Sequence, residues 1–285
     1  KDRYADGSLH TERTIEKKDE TYGQKVIFNR NYYWELNSSY NRKFGVHSLG
    51  ALLMFYLQSK SYSYKDNKDI KTVIEAIPYR NEALSGRVTY GYKDTYFTEF
   101  NLGYTGSEQF QTGHRFGWFP AISGGWIPTQ YKWVQNNMPW LEYFKLRASY
   151  GLVGNDRIGG TRFPYITSIV NGGDGWNGLY GSKKEGQVGT DGLVWEKAKK
   201  LDVGVDVHLF KGMIEFTVDY FKDNRTGIFQ QRATVPDEIG LESLPWANIG
   251  EMESHGMDGN ITFSKNWNKD WRTTIRGNFT YSRNK

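Results

Sequence analysis

The chain has 285 residues, a formal net charge of +5 and no cysteine, which excludes a disulfide framework and a thiolate metal site. Its 37 lysines and arginines are scattered among 32 acids, with no basic stripe suited to a phosphate backbone, so nucleic acid is excluded as a partner. The longest apolar run, residues 49–57, is far shorter than the ~20 residues a membrane helix needs, although membrane-spanning strands are short and half polar and escape that test.

Residues 1–24 are polar, charged and without period, and are expected to form a solvated loop. A strand is predicted over 26–40, with Tyr32, Trp34, Leu36 and Tyr40 opposite Tyr33, Glu35, Asn37 and Ser39. Asn41-Arg42-Lys43 reads as a short turn before a strand over 44–59 that is apolar on both faces in its middle. Residues 60–82 form a long polar connection. A hairpin follows, 86–92 and 96–104, closed by Lys93-Asp94-Thr95. After a loop over 105–117 comes a strand over 118–127, its Pro120 near the start, where a missing N–H is tolerated. Residues 128–142 are irregular, with room for a short helix. In 144–150, Phe144, Leu146, Ala148 and Tyr150 alternate with Lys145, Arg147 and Ser149. A long loop rich in Gly and Asn spans 151–192.

The clearest element is the hairpin over 201–221. Leu201, Val203, Val205, Val207 and Leu209 oppose Asp202, Gly204, Asp206 and His208; Ile214, Phe216, Val218 and Tyr220 oppose Glu215, Thr217 and Asp219. This is the period of a strand, and Lys211-Gly212 supplies the turn. Another long loop is predicted over 224–247. The last hairpin, 261–263 and 271–281, closes through 266–270. The chain lacks an initial Met and stops as a strand closes, so it is expected to be a piece of a longer protein.

A hairpin with one apolar and one charged face fits a soluble sandwich or a membrane barrel with a wet lumen. The connections choose between them. They alternate short and long along roughly ten strands, so one end of the meander carries turns and the other loops, which is the layout of an outer-membrane barrel. With apolar faces outward, Glu99, Lys145, Arg147, Asp202, Asp206, Glu215 and Asp219 line the lumen. The opposite register would put charges in lipid, where Lys or Arg at mid-bilayer costs ~2–4 kcal/mol each.

Several segments resemble one family. Phe119-Pro120-Ala121-Ile122-Ser123-Gly124-Gly125-Trp126 is similar to a strand of the SusC-like TonB-dependent receptors of Bacteroidetes. So are Leu146 to Asn155 (LRASYGLVGN), Trp195 to Asp206 (WEKAKKLDVGVD), Asp219-Tyr220-Phe221 and the Asn248–Asp258 segment (NIGEMESHGMD), in family order. The chain departs at Lys197-Ala198, where Thr is common, and at Met257-Asp258, where Val-Glu is usual. The resemblance implies an all-β antiparallel meander within a transmembrane barrel of about 22 strands. It implies a plug domain absent from this chain, which would supply roughly the C-proximal half of the barrel. It also implies TonB-driven import of oligosaccharides or peptides across the outer membrane. The partners would be a SusD-like surface lipoprotein, the TonB-ExbB-ExbD complex acting through the missing N-terminal region, and outer-membrane lipid.

Paired acids such as Asp202 and Asp206, or Glu215 and Asp219, could serve a glycosidase. They sit on a regular strand wall near a short turn, and lumen lining is the expected role. The five histidines show no ligand spacing, so no metal or other cofactor is expected. Asp174, Trp176, Asn177 and Tyr180, in a Gly-rich stretch, are the candidate substrate contacts: aromatic rings stack on sugars while amides and acids bond them. Trp118, Trp126, Trp267 and Trp271 are expected near strand ends, as interface aromatics. The alternative reading is a soluble or surface-exposed carbohydrate-binding β-domain without transport.

Overall fold

The computed structural model describes residues 29–62, 64–65, 68–69, 77–157, 162–174, 181–232, 236 and 244–285. The predicted loop over residues 1–24 lies outside them, as does the predicted strand start at 26–28. Strands β1 (Asn29–Phe44) and β2 (His47–Tyr62) form the first hairpin. Two-residue strands β3 (Tyr64–Lys65) and β4 (Lys68–Asp69) pair with each other. Strands β5 (Tyr79–Tyr92), β6 (Tyr96–Ser107), β7 (Phe116–Trp126) and β8 (Leu141–Asn155) continue the main sheet. A single 3-10 turn over Pro128–Gln130 and helix α1 (Lys132–Asn137) fill the connection before β8. A separate hairpin, β9 (Ile169–Asp174) and β10 (Gly181–Glu185), follows. The sheet resumes with β11 (Glu196–Leu209), β12 (Ile214–Gln231), β13 (Trp246–Asn266) and β14 (Arg272–Asn284).

Among the described residues the main sheet has ten strands in the order β1-β2-β5-β6-β7-β8-β11-β12-β13-β14, every neighbour antiparallel. Short turns at 45–46, 93–95, 210–213 and 267–271 close one end, together with the helical connector at 127–140. The long connections at 63–78, 108–115, 156–195 and 232–245 all lie at the other end. The alternation expected from sequence is therefore the architecture.

Register assigns the faces. One row across the sheet reads Tyr40, Ala51, Val88, Phe100, Ile122, Tyr150 and Leu201; another reads Trp126, Leu146, Val205 and Val218. These residues share a face, and most of the bulky ones are exposed, among them Val88, Phe100, Ile122 and Tyr150. The alternate rows are polar, such as Asn41, Gly50, Thr89, Glu99, Ser123, Ser149 and Asp202. Residues of seven strands, from Lys43 on β1 to Asp202 on β11, line one cavity of about 690 Å³ on this polar side, so the sheet is concave there. Among the described residues no second sheet covers the apolar face, as a sandwich would require.

Several boundaries differ from the sequence reading. The first turn is Gly45-Val46, with Gly45 at φ 56°, while Asn41, Arg42 and Lys43 remain in the ladder opposite Gly50, Leu49 and Ser48. The central turn takes in Phe210 and Lys211, both at positive φ, as well as Gly212. Strands β5, β8 and β12 run several residues into segments read as loops, from Tyr79, to Asn155 and to Gln231, β13 starts two residues early at Trp246, and the β9–β10 hairpin lies within 151–192, read as one long loop. At this end the outward face stops being apolar, so alternation fades although the ladder continues.

Among the described residues, one cluster of buried apolar side chains sits at the long-loop end. Phe110, Leu193, Trp195 and Phe229 form it, with Phe119 and Trp246 packed against them. Trp195 stands 5.2 Å from both Phe110 and Phe119, and its Nε1 donates to the Arg115 carbonyl at 3.1 Å.

Candidate functional site

The concave face centres on Arg147 of β8. Its Nε lies 3.3 Å from Asp206, Nη1 3.5 Å from Asp202 and Nη2 2.6 Å from Asp219. Local chain geometry explains the cluster. Asp202 and Asp206 are two residues either side of Gly204 on β11, and Gly204 pairs with Arg147 on one side and Asp219 on the other. All four therefore point to one face. A Cβ at position 204 would overlap the Asp219 carboxylate and stand 2.8 Å from the guanidinium carbon. Glycine leaves the gap through which the guanidinium reaches all three acids. Thr217 adds a hydroxyl, donating to Asp206 at 3.0 Å.

The sequence reading named Arg147, Asp202, Asp206 and Asp219 without foreseeing that one arginine joins them. Lys145 pairs with Asp206 in the register and lines the same cavity. Glu99 lines it too, 3.6 Å from Arg87, and accepts from Asn101 at 2.7 Å. Glu215 stands apart at the turn end, opposite His208. Asp258, directly across from Asp219, extends the acidic stretch and was not singled out; its signal was the Gly256-Met257-Asp258 segment, whose pairing is visible only once β12 and β13 are in register.

Of the four candidate substrate residues, one is among the described residues. Asp174 is the last residue of β9 and pairs with Gly181. Trp176, Asn177 and Tyr180 lie outside the described residues. Of the four aromatics expected near strand ends, Trp126 ends β7 and Trp267 and Trp271 flank the last turn, while Trp118 is the third residue of β7.

Sequence reasoning missed a second cluster. Arg162, only 7 % exposed, pairs with Glu108, donates to the carbonyls of Ile77 and Pro78, and lies 3.8 Å over the Tyr79 ring. It ties three long connections together. Burial pushes the Glu108 carboxyl above its ordinary range, and Arg162 offsets part of that rise. An isolated Arg in a loop carries no periodic signal.

The whole chain, residues 1–285, matches the family described as TonB dependent receptor-like, beta-barrel. It is 27 % identical over 276 residues to TonB-dependent receptor P39 of Formosa agariphila, covering 90 % of this chain and 26 % of that protein. To TonB-dependent receptor SusC of Bacteroides thetaiotaomicron it is 26 % identical over 212 residues, covering 72 % of this chain and 21 % of that one. The chain thus spans about a quarter of the length of the curated relatives it matches. Its fold is similar to that in the structure of the RagAB peptide transporter, with a TM-score of 0.71 at 20 % identity over 90 % of this chain and 30 % of that one. It is also similar to the siderophore receptor PirA from Pseudomonas aeruginosa, with a TM-score of 0.55 at 14 % identity over 90 % of this chain and 44 % of that one. The apolar outer face is accordingly the lipid-facing surface of an outer-membrane protein, and the chain belongs to the TonB-dependent receptor-like β-barrel family, its described residues forming a ten-strand arc of such a barrel.

Proposed function

We propose that this arc is part of the wall of an active importer of oligosaccharides or peptides across the outer membrane. The energy comes through TonB and its ExbB-ExbD partners, and a SusD-like surface lipoprotein delivers the substrate. The observation that carries the reading is a wall with an exposed apolar outer face and a concave face of polar and charged groups, in a chain related to SusC. Glu99, Lys145, Arg147, Asp202, Asp206, Glu215 and Asp219 line the lumen. A plug domain, outside this chain, fills that lumen at rest. Asp174, Trp176, Asn177 and Tyr180 contact substrate. A soluble carbohydrate-binding domain fits less well, because it would leave Ile122, Tyr150 and Val203 in water.

Deletion of the full-length receptor tests this. Growth on a panel of glycans and peptides should be lost for one class of nutrient. The same loss should follow when tonB is deleted, and a surface lipoprotein should co-purify with the tagged receptor. Growth on every nutrient unchanged by either deletion, with no lipoprotein recovered, overturns the reading.

A further inference from the structure

A second cavity, of about 630 Å³, lies at the long-loop end and mainly on the outward face. Its floor is the row Trp34, Leu57, Glu82, Gly106 and Phe116, five residues in register on β1, β2, β5, β6 and β7. The next row toward the short turns is wholly apolar: Leu36, Phe55, Leu84, Tyr104 and Trp118. On β5 the outward face carries no charge from Tyr92 to Leu84, and then carries Glu82 and Arg80.

The height of that change is informative. Glu82 lies ten residues from the short-turn end of β5 at Tyr92. At ~3.3 Å per residue and a tilt of ~40°, this is about 25 Å, the height of the apolar band of such barrels. The cavity therefore opens where acyl chains give way to headgroups.

Its charges suit an anion. Arg80 and Arg115 line it, together with Glu82 and Glu108. Glu108 is paired with Arg162 and also lies beside Arg80, whose backbone N–H bonds it, and Arg115 is held in place by its Nε, which donates to the Phe110 carbonyl at 3.2 Å. Arg80 is exposed. Trp34, Leu57 and Phe116 present apolar surface below, continuous with the lipid-facing belt.

We propose that this cavity seats the phosphorylated headgroup of an outer-leaflet lipid, with Arg80 and Arg115 on the phosphate and the first acyl carbons on Trp34 and Leu57. Arginine suits a phosphate because its planar fork donates two bonds at once.

Native mass spectrometry of the full-length receptor in mild detergent tests the assignment, with phosphatidylglycerol and phosphatidylcholine as probes. Phosphatidylglycerol should be retained in preference. Arg80→Gln should lower its retention about fivefold, the worth of one cation near an anionic headgroup, and Arg80→Lys should restore most of it. Trp34→Ala should lower retention of both lipids, since it removes apolar surface and no charge. Equal retention of the two lipids by the wild type overturns the proposal, as does unchanged phosphatidylglycerol retention in Arg80→Gln. Weaker binding of an imported sugar in Arg80→Gln, with lipid retention intact, reassigns the cavity to substrate and overturns it too.

Discussion

Arg147 on β8 reaches Asp219 on β12 at 2.6 Å although β11 runs between them. The contact crosses two strand spacings because Gly204, the β11 residue in the same row, has no side chain to block it. One guanidinium thereby compensates three carboxylates on one wall, and none of these charges touches the lipid-facing side.

The first prediction concerns that pairing. Removing Arg147 leaves Asp202, Asp206 and Asp219 facing one another. Removing the Asp219 charge as well should recover part of the loss. We expect Arg147→Ala and Asp219→Asn to be less than additive, with a coupling of about 1–2 kcal/mol, reduced from buried-pair values because Arg147 is partly exposed. Unfolding of the full-length receptor in bilayers, measured for both single variants and the double variant, reads the coupling. Strict additivity would show that the contact does not hold the three strands together.

Gly204→Ala should be destabilising although alanine suits a strand better than glycine. The added methyl overlaps the Asp219 carboxylate and crowds the Arg147 guanidinium, so these groups must move. Overpacking of this kind costs about 1–3 kcal/mol. In a background carrying both Arg147→Ala and Asp219→Ala the same substitution should cost little, because both side chains that the methyl meets are then gone. The comparison of the two backgrounds separates crowding from any change in strand propensity.

Lipid and lumen faces can be told apart by neighbouring residues. Ile122 faces outward and Ser123 inward on the same strand. Ile122→Arg should cost ~2–4 kcal/mol if the site is near mid-bilayer, while Ser123→Arg should be nearly neutral. Yield of folded receptor in the outer-membrane fraction, with the shift in gel mobility on heating, measures both. Equal tolerance at the two positions would contradict the assignment of faces.

How far the sequence carried depended on solvent. Where a strand separates lipid from a polar interior, every second residue is constrained, and the strict alternation of 201–209 and 214–220 could be read directly. Beyond the apolar band that constraint lapses. Asn224, Arg225 and Thr226 read as loop yet pair with Glu253, Met252 and Glu251. The acids on the wall were legible because each stood on the polar side of an alternating strand. Their common partner was not, since it depends on which strands become neighbours and on Gly204, which leaves the gap on the strand between Arg147 and Asp219. Motif glycines gain a physical reason in the same way: a Cβ at Gly154 would run into the inward-facing ring of Phe119, which packs against Trp195. Arg162, outside any periodic segment, offered nothing to read.

The last prediction concerns that arginine. Arg162 binds the segment at Ile77 and Pro78, the loop at Glu108 and the ring of Tyr79, so Arg162→Ala should loosen three connections together while leaving the barrel wall intact. Hydrogen exchange over 108–115 and 162–168 should rise, with protection in β11 and β12 unchanged. The Glu108 contribution has a defined sign with pH. Burial raises its carboxyl above the ordinary value of 4.5, the protonated form being favoured in the folded loops. Its stabilising contribution is therefore complete below the ordinary carboxyl range and is lost as pH rises through the elevated folded value. Protection over 108–115, corrected for intrinsic exchange, should fall across that window in the wild type. Glu108→Gln, which cannot ionise, should flatten the fall and keep an acceptor for the guanidinium. If Glu108→Gln instead loosened the loops as much as Arg162→Ala at every pH, the ionised pair would be the main tie and burial the lesser effect.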